Sequence, residues 1–292
     1  MKKICKVIIF VIKITAIAAL VNHHVKILVN TLKGAGDEDE LIYDYSFGSV
    51  AYTKKGSGPA MLLLHSPVMN ASGLEWEPLI GHLSKNYTVY IPDLPGFGRS
   101  AHPEISYSSY LYASFINAFI SDVIGTSVIV MASGKSADFS VCAGKLAPEN
   151  FEKFILISPK GFNEVPQKCL FRATAKKLVE VPLYGTFIYN MIWLGFLAKD
   201  IMRTLPKLNV PRVMQSSKFA MAALFNGDMD LNIKDAALKS GVPTLIALGN
   251  TDSISGISPD IETRLFCDRV GAPHLGLDTN KFMGEIHSWL KK

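Results

Sequence analysis

Cysteine is scarce in this chain of 292 residues, and the few cysteines lie far apart. Their spacing fits neither a zinc site nor the dense framework of a small disulfide-stapled protein. We therefore expect buried or idle thiols, and the cysteine pattern leaves the redox compartment open. The four are Cys5, Cys142, Cys169 and Cys267.

Runs of basic residues are also lacking. The formal net charge is +5, but no stretch of Lys and Arg alternates with aromatic residues, so a nucleic-acid partner has little support. Internal repeats and low-complexity tracts are absent too. What is present is 49% hydrophobic residues, enough for one large domain with a sizeable core and a short appendage. Part of the positive charge lies at Lys2, Lys3, Lys6 and Lys13.

A long apolar run occupies residues 4–21. As a helix it spans about 27 Å, close to the hydrocarbon thickness of a bilayer. Lys6 lies near its end and can reach the headgroups. Lys13 lies near its middle, where a charge costs about 2.5–3.5 kcal/mol, which the surrounding Ile, Val and Phe residues offset. A single-pass signal anchor is our first interpretation.

Two other interpretations of this run stay open. Lys6 and Lys13 are seven residues apart and share one helix face, which also fits an amphipathic helix lying in the membrane plane. Ala16 and Ala18 resemble the small residues of a cleavable signal peptide, although Lys13 interrupts the apolar stretch. Basic residues on both sides of the run leave the orientation across the membrane weakly specified.

The rest of the chain alternates short apolar runs with longer amphipathic stretches, which predicts a mostly parallel central sheet flanked by helices. We divide the chain into an N-terminal membrane anchor and linker at residues 1–36 and an α/β domain at residues 37–292. Residues 50–53 are predicted as an early edge strand. Residues 161–237 are helix-like, apolar and broken by prolines, and we call them the lid insert.

One loop carries the most specific motif. Residues 90–100 read YIPDLPGFGRS, which resembles the strand and loop xxPDLPGFGRS of the α/β-hydrolase family. The resemblance runs from about residue 47 to the C-terminus. It implies the α/β-hydrolase fold, with the lid insert over the active site. The supporting motifs, in the family's order and spacing, are the strand ending in His65, then Trp76, residues 154–159 and residues 242–249.

The family's chemistry needs a serine on a sharp strand-to-helix turn, a histidine that accepts its proton and an acid that orients the histidine. The resemblance gives two registers for the serine. In the first, Ser136 is the nucleophile and Asp138 replaces the last glycine of G-x-S-x-G. In the second, a gapless count from Pro148 and Pro159 puts the serine's position at Gly134, which leaves the site without a nucleophile. Outside catalysis, Ser136 would cap the following helix.

The acid and the base are assigned from the same resemblance. Asp252 follows a strand at the family's position for the acid, and otherwise would be an ordinary turn residue. His274 is the nearest imidazole in the loop where the family places its histidine, although an alignment on Pro273 puts that position at Gly271. Otherwise His274 would be a surface residue.

The oxyanion hole needs two backbone N–H donors. The Ala137 N–H, next to Ser136, would be one of them. The family's second donor falls at Pro67, which has no N–H, so this hole is half built. Losing one donor lowers the rate of a serine hydrolase by about 100- to 1,000-fold.

These residues support two hypotheses. The first is a membrane-anchored serine hydrolase, esterase- or lipase-like, in which Ser136 attacks, His274 is the base and Asp252 orients it. The apolar lid insert then favours a small hydrophobic or lipid-like substrate. The second is a catalytically degenerate member of the fold that binds an apolar ligand or a protein at the membrane. A dehalogenase would need an aspartate on the turn itself, and Asp138 lies two residues past Ser136. No hypothesis implies a metal or an organic cofactor.

Overall fold

A computed structural model describes residues 2–32, 40–162, 169–204, 215–233, 241–249, 261–266 and 279–291. The strands are β1 Glu40–Tyr45, β2 Gly48–Lys55, β3 Ala60–Leu64, β4 Thr88–Pro92, β5 Val128–Ser133, β6 Phe151–Ile157, β7 Thr244–Gly249 and β8 Glu262–Phe266. The α-helices are α1 Lys2–Leu32, α2 Glu77–Leu83, α3 Ser109–Phe119, α4 Lys135–Leu146, α5 Leu170–Glu180, α6 Tyr184–Thr204, α7 Lys218–Asn226 and α8 Thr279–Leu290. Short 3-10 turns lie at Gly73–Trp76 and Pro148–Asn150, and a π turn at Ile120–Ile124.

The strands of the described residues form one sheet in the order β1-β2-β4-β3-β5-β6-β7-β8. The pairs β1–β2 and β2–β4 are antiparallel, and every later pair in this order is parallel. Since the carboxyl ends of parallel strands meet at one edge, β3, β5, β6 and β7 open their following loops at the same place. The predicted fold class, a mostly parallel sheet flanked by helices, is confirmed.

The antiparallel edge of the sheet differs from the prediction. Residues 50–53 belong to β2, which is covered by β1 and is therefore not the edge strand. β1 forms because its two tyrosines pack against α3: the Tyr43 ring contacts Phe119, and the Tyr45 ring contacts Phe115. These partners lie far along the chain, so local sequence does not reveal the strand.

Two hydrophobic clusters cover the two faces of the sheet. Successive side chains of β3 alternate between them, as the pleat requires: Leu62 and Leu64 enter one cluster, Met61 and Leu63 the other. The first cluster packs the sheet against α3 and α4, and the second packs it against α2 and α8. The sheet is thus buried on both faces.

The N-terminal helix α1 stands apart from this core. Among the described residues it is the only unbroken helix that is long and apolar enough to cross a membrane. Only 6% of its most apolar 18-residue stretch is buried. Its second half does pack on the protein: Val25 and Val29 join Trp193 and Leu197 of α6 in a small buried cluster. Helices α5, α6 and α7 all fall within the lid insert.

Candidate active site

The sharp turn between β5 and α4 is present, and Gly134 occupies it. Its backbone, at φ 57° and ψ −127°, is one that side-chain-bearing residues rarely adopt. The Gly134 N–H donates to the Ile157 carbonyl at 2.8 Å, which ties the turn to the end of β6. In this geometry Gly134 holds the position from which a nucleophile would project above the sheet, and it has no side chain.

Ser136 lies two residues further along the chain, inside the first turn of α4. Its side chain is fully buried, and its hydroxyl donates to the His65 carbonyl at 2.5 Å. The bond joins α4 to the end of β3, so the hydroxyl points into the protein. The residue at the cap of α4 is Gly134, so Ser136 is not the cap. This geometry favours the second register, with Gly134 at the serine's position.

The two oxyanion positions assigned from sequence supply no donor in this arrangement. The Ala137 N–H donates to the Gly134 carbonyl at 3.2 Å and is engaged within the turn. Pro67 is buried and has no N–H to offer. The first amides of α4, those of Lys135 and Ser136, head the helix, where N–H groups lack intrahelical acceptors and the dipole favours negative charge.

Ser66 is the residue that the sequence assignment overlooked. A Cβ placed on Gly134 would collide with Ser66 Oγ, so this hydroxyl fills the space in which a side chain at residue 134 would begin. Ser66 is partly exposed, whereas Ser133 and Ser136 are buried. The sequence did contain a sign of this role, because Ser66 follows His65 at the position where the family has the glycine of its His-Gly pair.

Hydrogen bonds fix the backbone on both sides of Ser66. Its N–H donates to Glu75 Oε2 at 2.7 Å, and its carbonyl accepts from the Val68 N–H at 2.9 Å. The preceding His65 ring is buried; its Nε2 accepts from the Leu94 N–H at 3.0 Å, and its Nδ1 lies 3.1 Å from the Ser66 carbonyl. Both ring nitrogens of His65 are engaged with backbone, so this histidine supports the loop and is not a base.

The loop that carried the resemblance is held together by Asp93. The buried carboxylate accepts from the Gly73 N–H at 2.6 Å and from the N–H and Nε of Arg99 at 2.9 and 2.8 Å. A Cβ on Gly98, at φ 55°, would collide with the same carboxylate. The motif is therefore stabilised mainly by hydrogen bonds among its own residues. Because these residues are close in sequence, the motif predicts the fold.

Asp138 is structural as well. Its buried Oδ1 accepts from the Lys160 and Gly161 N–H groups at 3.1 and 2.9 Å, which ties α4 to the chain after β6. Burial raises the pKa of this carboxyl from 3.8 to about 7, and the bond from Gly161 and the charge of Lys135 oppose that rise.

The predicted acid Asp252 and base His274 lie outside the described residues, so both assignments remain predictions. β7 ends at Gly249 on the same sheet edge as β5, and β6 lies between these two strands. Among the described residues, no group of three or more His, Cys, Asp or Glu side chains is placed to hold a metal ion.

The sequence comparisons agree with this fold. A model of the "Alpha/beta hydrolase family" matches residues 61–260. A 2-(acetamidomethylene)succinate hydrolase from Mesorhizobium japonicum is 32% identical over 104 residues, which are 36% of this chain and 37% of that protein. The chain thus spans little more than a third of the length of this curated relative.

Solved structures match over far more of the chain. A thermophilic esterase from Thermogutta terrifontis superposes with a TM-score of 0.67 at 17% identity, covering 86% of this chain and 98% of its own. A structure described as a membrane phospholipase A superposes with a TM-score of 0.58 at 17% identity, covering 100% of both chains. At such identities the likeness is one of fold.

Proposed function

This chain belongs to the alpha/beta hydrolase family, and from that premise we propose that it is an esterase-like hydrolase held at a membrane by α1 and acting on a hydrophobic acyl ester. We assign the attacking hydroxyl to Ser66 in place of Ser136. The observation that carries this assignment is the collision between Ser66 Oγ and a Cβ at Gly134, which puts a partly exposed hydroxyl at the top of the turn.

The chemistry follows from an exchange of two residues. The family pattern has glycine after the strand histidine and serine on the turn; here Ser66 and Gly134 stand the other way round. Ser66 Oγ attacks the ester carbonyl, and its proton passes to the predicted base His274. The alcohol leaves with that proton, and water then releases the acid from the Ser66 ester. The first amides of α4 face the developing negative charge.

The membrane and the substrate class rest on apolar surface. A segment of 29 residues, Lys3–Thr31, has the length and composition of a membrane span. The structure described as a membrane phospholipase A aligns along the whole chain, α1 included. The apolar lid insert adds a surface suited to acyl chains, since such surfaces bind lipid-like ligands.

A second candidate function is a non-catalytic member of the fold that binds an apolar ligand at the membrane. Two observations favour it: Gly134 leaves the turn without a nucleophilic side chain, and Pro67 removes an oxyanion donor. In this case Ser66 would fill space and nothing more.

Fluorophosphonate labelling of the full-length protein in lipid nanodiscs separates these candidates. We expect labelling of the natural chain and of Ser136→Ala, and loss of labelling in Ser66→Ala. Because Ser136→Ala removes the bond to His65, Ser140→Ala serves as the matched control: it too removes a buried hydroxyl, one that donates to the Ser136 carbonyl at 2.8 Å.

Two results would contradict the assignment to Ser66. Loss of labelling in Ser136→Ala alone, with Ser140→Ala still labelled, would restore the first register. No labelling of any folded variant would favour the binding function. Circular dichroism on each sample shows whether the variant has folded.

A further inference from the structure

The turn between α5 and α6 touches α1 inside its apolar run. The Tyr184 hydroxyl and Thr15 Oγ1 share a hydrogen bond of 2.6 Å. About two turns later along α1, Asn22 Nδ2 donates to the Leu183 carbonyl at 3.0 Å. We call residues 181–184 the corner. Its position along α1 is thereby fixed between Thr15 and Asn22.

The contact with Thr15 also indicates how deep in a bilayer the corner would lie. Residues 4–21 form the apolar run of α1, and Thr15 lies six residues before its end. At about 1.5 Å per residue, Thr15 lies about 9 Å from that end. If the run crosses the hydrocarbon layer, the Tyr184 hydroxyl lies about 9 Å inside the layer, and the Leu183 carbonyl, bonded to Asn22, lies at its boundary.

The surface of the lid insert suits that environment. α5 and α6 are bent by 104° at the corner, and together they meet the length and composition of a membrane-crossing segment. Large apolar side chains of both helices are exposed, up to 84% for Leu170 and 73% for Phe171. An apolar surface this extensive marks an interaction site. The other exposed apolar residues of this surface are Leu178, Val181, Met191, Ile192 and Phe196.

The side-chain polar groups where the corner meets α1 are hydrogen-bonded within the protein, as a hydrocarbon environment requires. The Leu183 carbonyl accepts from Asn22, and the Asn22 Oδ1 accepts from Asn190 Nδ2 at 2.9 Å. Thr15 Oγ1 donates to the Val11 carbonyl at 2.8 Å. This arrangement also explains why α1 carries Thr15 and Asn22 on the side that meets α6.

An apolar groove continues along the same seam. It has a volume of about 480 Å³ and lies between α1 and α6. Its lining is apolar apart from His24, and it runs beside the exposed face of α1, so lipid chains around α1 have direct access to it. The lining residues are Leu20, Val21, His24, Val25, Leu28, Met191 and Leu194.

We propose that the corner is a second membrane-embedded element, inserted among the lipid acyl chains beside α1, so that the lid insert rests on the bilayer. The occupant of its apolar surface is lipid, because that surface is continuous with the exposed apolar face of α1. The inference rests on the proposed anchoring by α1. It goes beyond that proposal, since an anchor on a free linker would leave the lid insert in water.

Fluorescence quenching by lipids brominated on their acyl chains tests this. A bimane label is placed at single cysteines in the full chain, with Cys5, Cys142, Cys169 and Cys267 changed to serine, in phosphatidylcholine nanodiscs. Val181→Cys probes the corner. Ile9→Cys reports on α1, and Tyr110→Cys, 65% exposed on α3, reports on the globular domain.

We expect the loss of fluorescence at residue 181 to be at least half of that at residue 9, with none at residue 110. Quenching at residue 9 but not at residue 181 would overturn the inference and leave the anchoring intact. No quenching at residue 9 would overturn the anchoring, and the inference with it. Leu178→Cys, 51% exposed on α5, repeats the test if Val181→Cys fails to fold.

Discussion

Trp193 of α6 donates its indole N–H to the side-chain oxygen of Asn70 at 2.7 Å. Asn70 lies in the loop after β3, four residues past Ser66, and adopts a left-handed backbone at φ 65°. Trp193 itself is fully buried among Val25, Val29 and Leu197. One side chain therefore connects α1, the lid insert and the loop that carries the proposed nucleophile.

Trp193→Phe keeps most of the apolar contact and removes this hydrogen bond. We expect the free energy of unfolding to fall by about 0.5–1.5 kcal/mol, because the partly buried Asn70 oxygen loses the hydrogen bond from Trp193. We also expect fluorophosphonate labelling of Ser66 to slow, since the loop loses a constraint. Thermal unfolding and the labelling rate check these outcomes. Phe196→Leu, at a half-exposed site on the same helix, is the control. Equal labelling rates in both variants would contradict the connection.

Much of the fold was predictable from sequence because its signals are local. The strands are short apolar runs buried on both faces, and the Asp93 loop closes on Arg99 within its own motif. β1 was not predictable, because its tyrosines depend on Phe115 and Phe119 of a later helix. Long-range packing of this kind leaves no periodic trace in the strand itself.

The site was predictable only in part for a related reason. The motif left two registers open, and the choice depends on which residue adopts the backbone of the turn. Gly134 takes that conformation more readily than Ser136, and a hydroxyl from another loop fills the space beside it. The sequence shows that Ser66 follows His65, but its approach to Gly134 is visible only in the folded structure.

The fit between Ser66 and Gly134 predicts a strong coupling between the two positions. Gly134→Ser alone forces a side chain against Ser66 Oγ at a left-handed φ, and we expect a loss of about 1–3 kcal/mol in the free energy of unfolding. In the double variant Ser66→Gly with Gly134→Ser, the collision is gone and the part of the loss that it causes should be recovered, while the strain of a side chain at φ 57° remains. Denaturant unfolding in detergent measures the stability of the natural chain, the two single variants and the double variant, which together form a double-mutant cycle.

The control for this cycle is Gly284→Ser on α8, where an added Cβ meets nothing within 4 Å. It should cost little by itself and show no coupling to Ser66→Gly. Strictly additive effects of the changes at residues 66 and 134 would contradict the packing described here.

The hydrogen bonds of Asn22 are expected to stabilise the packing of the lid insert against α1. Asn22→Leu removes the bonds to the partly exposed Leu183 carbonyl and to the buried Asn190 side chain. We expect the free energy of unfolding to fall by about 1–2 kcal/mol, since hydrogen bonds between helices in a bilayer reach that size. Thermal unfolding in nanodiscs is the measurement. Asn30→Leu, exposed on the same helix, is the matched control and should change stability far less.

The buried carboxyl of Asp138 predicts a pH dependence of stability. Its pKa is raised to about 7 by burial, while an unfolded chain has the ordinary value of 3.8. Between these values the folded protein holds a proton that the unfolded chain has released, so the contribution is full below 3.8 and is lost as the pH rises through about 7. The slope within that window is at most about 1.4 kcal/mol per pH unit.

Asp138→Asn isolates this contribution, because the amide oxygen still accepts from the Lys160 and Gly161 N–H groups but does not ionise. The variant should lose less stability than the natural chain as the pH rises from 3.8 to about 7, and should be relatively more stable above it. Asp138→Ala, which also loses both amide bonds, should be destabilised at every pH. Unfolding curves at several pH values decide the matter: parallel pH profiles of the natural chain and Asp138→Asn would mean that this carboxyl titrates normally in the folded protein.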